Sequence, residues 1–506
     1  MVVGAFSLLG GLTGILVDTS IAAHLGLSRS SDTFFVAFTI PYIITNLLYA
    51  TSQSSLVPFF AALEARHSPA ELWRGFSYAF TLVLAALGGI ALLGAVSAPW
   101  LVRGIAPGLA STQSVYAAEL ARWLFFMIVP AGLAEVLRSF LLSHHRFVLS
   151  SAAGFIRNVT VVVCILLLFG RYREYSIVLG YLAGYFLQVL VLGIQVAGAF
   201  PARLSLTLVG SGEAFRHLRG AGTAQVGAAL AWQGVTVVER IIASFLPPGT
   251  LTALNWGAKI MATLAELLAG SVGTVALPAL SRAVARHARE EERKTFRDTL
   301  EISLALISPA VVFCLLLDQN VVRLVFERGR FTPESTALMA RVFFYYSLSL
   351  GVYSFVRILT FYLFARHEVG AFLRLSLFLY GLNVAFDLLY VGAFRLGVIG
   401  IPLGLLTSHA VAILLSFQRN LADLRATLDR ALGVFTLKNL FGAALAGAVV
   451  AATGGWLGPP VGALENFLYL CLVCGMGTVA FFAALAFTRA VPFARLVAEL
   501  RSWHET

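Results

Sequence analysis

The chain has 506 residues, of which 59% are hydrophobic and only 12% charged, and its mean hydropathy is +0.86. Those values exclude a soluble globular domain and imply an all-α integral membrane protein. The net charge of +11 is read as topology and contact with anionic headgroups, not as nucleic-acid binding, because a polytopic protein gathers Arg in the connections on one side.

In chain order, apolar runs predict about 14 transmembrane helices. They lie near 4–26, 32–62, 75–100, 116–142, 147–170, 175–199, 221–246, 250–281, 299–326, 336–364, 370–394, 397–418, 437–457 and 465–488. The first run lacks a charged lead-in and a small-residue cleavage site, so it is expected to be a retained span. Basic residues gather in alternate connections: Arg66 and Arg74, Arg146, Arg203 with Arg216 and Arg219, the cluster at 282–297, Arg366 with Arg374, the stretch 419–438, and the tail with Arg489, Arg495 and Arg501. That bias places both termini in the cytoplasm. The cysteines, Cys164, Cys314, Cys471 and Cys474, all fall in apolar runs and are read as small packing residues; the CxxC at 471–474 has no further Cys or His near it in sequence.

An internal repeat is visible directly. The segment 21–67 lies ungapped over 241–287, matching Ile21, Ala23, Leu47, Leu48, Pro58, Ala65, Arg66 and His67 with Ile241, Ala243, Leu267, Leu268, Pro278, Ala285, Arg286 and His287. A second pair agrees at nearly the same offset, ARWLFF at 121 followed by Arg138 and ARVFFY at 340 followed by Arg357. A repeat spanning six helices keeps both copies in one orientation, which predicts parallel lobes about an axis along the membrane normal with a pathway between them. The expected organisation is a six-helix lobe over 1–200, a second over 201–419, and two additional helices with a tail over 420–506.

Ionisable residues within spans are costly and so are functional candidates. Arg122, Arg138, Arg341 and Arg357 are expected near span ends, where they can snorkel. Glu239 and Arg240 are adjacent and cannot face each other on a helix, so each needs its own partner. Lys259 lies inside the eighth span, and a buried ammonium needs an anion from the protein or from a substrate. Asp32, in the symmetry-related hairpin with Asp18, is the natural protein partner. Asn383 and Asp387, four apart on one helix face, could offer oxygens to a hard cation or form an interhelical hydrogen-bond network. The chain has no HExxH, GxSxG or phosphate-binding glycine loop, so catalysis is not expected.

SSDTFFVAFTIPYII, SQSSLVP, ASFLPPGTLTALNWGAKIM, GTVALPALS and, above all, LVFERGRFTPESTALMA resemble the MurJ/MviN lipid II flippases of bacteria, members of the multidrug/oligosaccharidyl-lipid/polysaccharide exporter superfamily. The resemblance runs from about residue 5 to 420. It implies a central cationic cavity that alternates between the two sides of the inner membrane, a groove on helices 13 and 14 for a polyprenyl tail, and a polyprenyl-pyrophosphate-linked glycan precursor as substrate. Carried over by position, Asp32 matches the family's important aspartate early in helix 2 and Lys259 its cavity arginine in helix 8. Asp18, Asp32 and Lys259 are therefore the expected substrate-facing charges, and Glu239, Asn383 and Asp387 look like the sodium ligands of some members. No cofactor beyond such a coupling ion is implied. The implied partners are the glycolipid, membrane lipids and envelope-synthesis proteins, with the protein acting as a monomer.

Where the family carries further cavity arginines in helices 1 and 2, this chain has Gly11, Val17 and Thr45. With one lysine in their place a diphosphate is held less strongly, each charge-assisted contact contributing about 1.5–3 kcal/mol. The expectation is thus a divergent flippase. An ion-coupled antiporter of the same superfamily and a non-transporting scaffold are the alternatives.

Overall fold

The computed structural model describes residues 2–66, 68–199, 204–207, 233–419 and 430–489. The expectations on His67, Arg203, Arg216, Arg219, the first half of span seven, the connection 420–429 and the tail with Arg495 and Arg501 lie outside the described residues.

Among the described residues the spans are helical, as a chain in hydrocarbon requires if every backbone N–H and C=O is to be paired within its own segment. They are α1 (Val2–Leu25), α2 (Arg29–Thr51, continued through a π turn at Ser52–Leu56 into Val57–Arg66), α3 (Pro69–Ile105), α4 (Ser111–Ser143), α5 (Phe147–Tyr172), α6 (Glu174–Ala199), α7 (233–243), α8 (Thr250–Ala265, continued through a π turn at Glu266–Gly270 into Ser271–Ala285), α9 (Arg289–Leu316), α10 (Pro333–Ala365), α11 (Val369–Asp387, continued through Leu388–Ala393), α12 (Gly400–Arg419), α13 (Arg430–Leu457) and α14 (Ala463–Phe487). Twelve of these helices are long and apolar enough to cross a membrane, and the apolar stretch of α1, Leu9–Leu25, is shorter. A short helix, Asp318–Phe326, precedes α10.

Local sequence explains the boundaries. Ser28 caps α2 in a reciprocal box with Ser31, and Ser68 caps α3 with Glu71, each hydroxyl accepting an otherwise orphaned N–H. Thr332 caps α10 ahead of Pro333, whose missing N–H would have no helical partner there. Three further helices end at a histidine in the left-handed region: His145 (φ 55°), His287 (φ 54°) and His367 (φ 56°). His145 and His367 close α4 and α10, corresponding elements of the repeat.

The chain divides into two compact units, residues 1–252 with Arg328–Phe331, and 253–327 with 332–506. In the first, α4 packs on α2, α3 and α6, while α5 packs on α6 and α1. Phe60, Phe76, Leu137 and Phe140 fill its core between α2, α3 and α4, with Phe76 and Phe140 at 4.5 Å between ring centroids. The second unit repeats the scheme: α10 packs on α8, α9 and α12, and α11 on α12. It also carries α13 against α9 and α14 against α13. There the amide of Asn439 on α13 donates to Ser308 of α9, and Arg323 of the short helix donates at 2.7 Å to the carbonyls of both Pro460 and Val461 between α13 and α14.

The π turns within α2 and α8 each lie against an arginine of the repeat. In the first unit Arg138 of α4 sits over the Tyr49 ring at 4.6 Å and pairs at 3.0 Å with Glu135, which also accepts the Ser52 hydroxyl. In the second, Arg357 of α10 pairs at 2.6 Å with Glu266, the first residue of the π turn. Both arginines close ion pairs. The carboxylate comes from α4 in one unit and from α8 in the other.

Candidate functional site

Asp32 stands in the first turn of α2, half-buried, with the buried Ser31, Thr33 and Phe34 as its chain neighbours. Its Oδ2 accepts the backbone N–H of Gly249 at 2.6 Å, and its Oδ1 accepts both the N–H of Thr252 at 2.9 Å and the Thr252 hydroxyl at 2.7 Å. Gly249 and Thr252 flank the start of α8, so the carboxylate caps that helix from 217 residues away. An anion at a helix N-terminus gains from the unpaired N–H groups and from the positive end of the dipole. Gly249 itself (φ +86°) lies so close to Leu27 that a Cβ would stand 3.0 Å from the Leu27 carbonyl carbon.

The FERGRF loop completes this junction. The N–H of Arg330 donates to the Ala23 carbonyl at 2.7 Å, and Phe331 is buried. Gly26 (φ +64°) and Gly329 (φ +58°) both require the left-handed region, and each faces backbone of the other segment: a Cβ at Gly26 would stand 2.6 Å from the Arg330 carbonyl oxygen, and one at Gly329 would collide with that of Ala23. The most specific motif of the chain is thus a contact motif. It locks the loop before α10 onto the end of α1, beside the turn that leads to Asp32.

The other candidates are placed as follows. Asp18 is buried on α1, within electrostatic reach of the Tyr181 phenol of α6. Lys259 is on α8, seven residues past Thr252 and so about 10 Å further along the helix, and it is exposed. Glu239 and Arg240 are in α7, and Arg240 donates to the Leu251 carbonyl at 3.4 Å. Asp18, Asp32 and Glu239 belong to the first unit, and Lys259, Asn383 and Asp387 to the second.

Asn383 and Asp387 are brought together, both fully buried on α11 against α12. In the orientation that satisfies both amide atoms, Asn383 Nδ2 donates to Asp387 Oδ2 at 3.1 Å and its oxygen accepts the N–H of Leu405 at 3.2 Å. Turning the amide over brings two oxygens 3.1 Å apart, a pair that a small cation would bridge. Ser408 stands alongside at 3.4 Å from the Asn383 amide nitrogen. Gly404 makes room, since a Cβ there would overlap the Asp387 carboxylate.

Besides Glu135 and Glu266, which pair with the arginines of the repeat, a further charged span residue escaped the sequence reading. Arg157 sits ten residues into α5, at mid-span, and is partly buried. An ionisable residue inside the apolar run 147–170 was the signal that could have found it.

The fold and these charges define a class: a polytopic helical transporter built from two repeated lobes, with ionisable groups held inside the spans. The family model described as "Lipid II flippase MurJ" matches residues 21–458, and the chain belongs to that family. It is 25% identical to the lipid II flippase MurJ of Burkholderia cenocepacia over 391 residues, 74% of this chain and 75% of that one. It is 26% identical to the probable lipid II flippase MurJ of Thermotoga maritima over 79% of this chain and 80% of that one. Among solved structures, a lipid II flippase MurJ in an inward closed conformation aligns with a TM-score of 0.77 at 18% identity, covering 96% of this chain and 98% of that one. An inward-facing multidrug resistance transporter of the MATE family aligns at 0.71 and 15% identity, covering 84% and 98%.

Proposed function

We propose that this protein is a flippase that carries a polyprenyl-diphosphate-linked glycan precursor, lipid II or a related saccharide, across the bacterial inner membrane by alternating access, with both termini in the cytoplasm. The observation that carries this reading is the junction at Asp32. The helix 1–2 turn, the start of α8 and the FERGRF loop meet through the Asp32 carboxylate and two left-handed glycines, a junction whose hydrogen bonds could break and re-form as a transporter cycles. Family membership over 21–458 supplies the substrate class.

Lys259, exposed on the same helix that Asp32 caps, is the residue we assign to the headgroup, with Asp32 as gate and Asp18 as a further charge of the pathway. Asn383 and Asp387 are the proposed sodium ligands, with Glu239 the third carboxylate or amide expected from the family. Sodium would supply the gradient that resets the transporter; the amide of Asn383 and the carboxylate of Asp387 would bind it by the flip described above. Lysine engages phosphate as a point charge, where arginine would bind bidentately, and Gly11, Val17 and Thr45 add no cation. These differences favour a divergent saccharide preference.

Reconstitution into liposomes tests the reading: flipping of lipid II and of two other lipid-linked saccharides is followed with and without sodium. Transport of at least one is expected. Export of cationic dyes with no flipping of any glycolipid would replace this reading with an antiporter.

A further inference from the structure

Arg157 is ten residues from the start of the 26-residue helix α5, about 15 Å along it, near the middle of a hydrocarbon layer about 30 Å thick. Its donors do not reach toward either surface. Nε and Nη2 donate to the Asn158 side-chain oxygen at 3.2 and 3.1 Å, and Nη1 donates to the Tyr185 hydroxyl at 3.3 Å, with the guanidinium 5.1 Å from the Tyr185 ring centroid. Arginine carries five N–H donors and stays charged in proteins, so among the described residues this one keeps two donors and a full positive charge. Among the described residues no carboxylate lies within ion-pair distance of it. The carboxylates in its neighbourhood are Glu135, already paired with Arg138 and Ser52, and Asp18, which like Arg157 is within electrostatic reach of Tyr181.

The surroundings are shaped for an anion. The phenols of Tyr181 and Tyr42 are within electrostatic reach of the guanidinium, and phenolic O–H groups donate to phosphate oxygens. Tyr42 is 44% exposed, so the cluster opens outward from the helix packing. Asn158 is held in turn by α1, donating to the Gly10 carbonyl at 3.1 Å and to Thr13 at 3.3 Å. Beside this contact a Cβ on Gly11 would meet nothing within 4 Å, and the same holds at Gly154, one turn before Arg157 on the same face of α5. There is therefore room next to the charge. Behind it the packing is tight: a Cβ on Gly184 would stand 2.9 Å from the Arg157 carbonyl oxygen, which fixes α6 and its Tyr185 against the guanidinium. Among the described residues no carboxylate pairs with this charge at mid-membrane, an expensive arrangement that an anion bound from outside the protein would relieve.

We propose that Arg157, with the phenols of Tyr42, Tyr181 and Tyr185, is a diphosphate-binding site for the lipid-linked substrate within the first unit. The inference rests on the flippase reading. It supplies from α5 the cation that Gly11, Val17 and Thr45 do not.

The test uses the full chain in phosphatidylcholine nanodiscs, with binding of undecaprenyl diphosphate, undecaprenol and phosphatidylglycerol read by native mass spectrometry. Wild-type protein is expected to hold undecaprenyl diphosphate, with Arg157→Gln weakening it about tenfold to a hundredfold, Arg157→Lys falling between, and undecaprenol binding unchanged. The Tyr42→Phe, Tyr181→Phe double variant preserves packing and is expected to weaken binding several-fold, which keeps the test open if Arg157→Gln does not fold. Unchanged undecaprenyl diphosphate affinity in these variants overturns the site. An equal loss of phosphatidylglycerol binding also overturns it, in favour of a general anionic-lipid contact. Wild-type protein that binds no undecaprenyl diphosphate overturns instead the flippase reading beneath it.

Discussion

Asp32 and Gly249, 217 residues apart in sequence, share a 2.6 Å hydrogen bond in which the carboxylate accepts the backbone N–H ahead of α8. With the two bonds from Thr252, this one side chain ties the first hairpin of the repeat to the start of its second copy. The repeat is therefore more than a duplicated scaffold. One copy's charged residue completes the other copy's helix end.

Replacing Asp32 by Asn keeps the shape but turns an amide toward backbone donors. The loss of charge-assisted bonds is expected to cost about 1.5–3 kcal/mol, a tenfold to hundredfold rise in hydrogen exchange at Gly249 and Thr252 if the junction opens locally. Exchange measured by mass spectrometry at 245–255 checks this. Wild-type protection in the variant would remove Asp32 from the gate.

Gly329→Ala forces a β-carbon into both a left-handed conformation and the Ala23 carbonyl. Folding into the closed junction is expected to lose about 1–3 kcal/mol, seen as a lowered Tm in detergent together with reduced flipping. Gly351→Ala on α10, where a Cβ meets nothing within 4 Å, serves as the control and should leave both unchanged.

For Lys259, the informative comparison is between Ala and Arg. Lys259→Ala should reduce flipping at least tenfold if the ammonium contacts the headgroup, since a charged hydrogen bond contributes about 1.5–3 kcal/mol. Lys259→Arg should retain it or raise it, because the guanidinium can bind phosphate bidentately. Equal rates for all three proteins would show that the headgroup is held elsewhere.

The proposed sodium coupling makes Asp387 the ligand to test. A saturating concentration about a hundredfold above Kd stabilises a folded protein by about 2.7 kcal/mol, so wild-type protein should show a sodium-specific rise in Tm that potassium does not reproduce. Asp387→Asn should abolish that rise, and Gly404→Ala, which crowds the carboxylate, should diminish it. A rise that survives Asp387→Asn places the cation at another site.

Much of this protein was legible without a structure, because hydropathy and helical period are local properties. Runs of apolar residues determined the class and the spans, and matching strings at an offset of 220 residues determined the repeat. The FERGRF string and the residues around Asp32 carried the family. What those strings do was not legible. Nothing local in FERGRF says that Gly329 must lie against Ala23, about 300 residues earlier, or that Asp32 takes Gly249 and Thr252 as its donors. Likewise Asn383 and Asp387 could be placed on one helix face from their spacing, but only packing against α12 brings Leu405 and Ser408 to them. Arg157 marks the division most clearly. Its charge in an apolar run was there to be read, yet whether that charge was neutralised depended on which side chains α1, α4 and α6 brought near it. Sequence determines where a charge enters the membrane, and tertiary packing decides what is left to balance it.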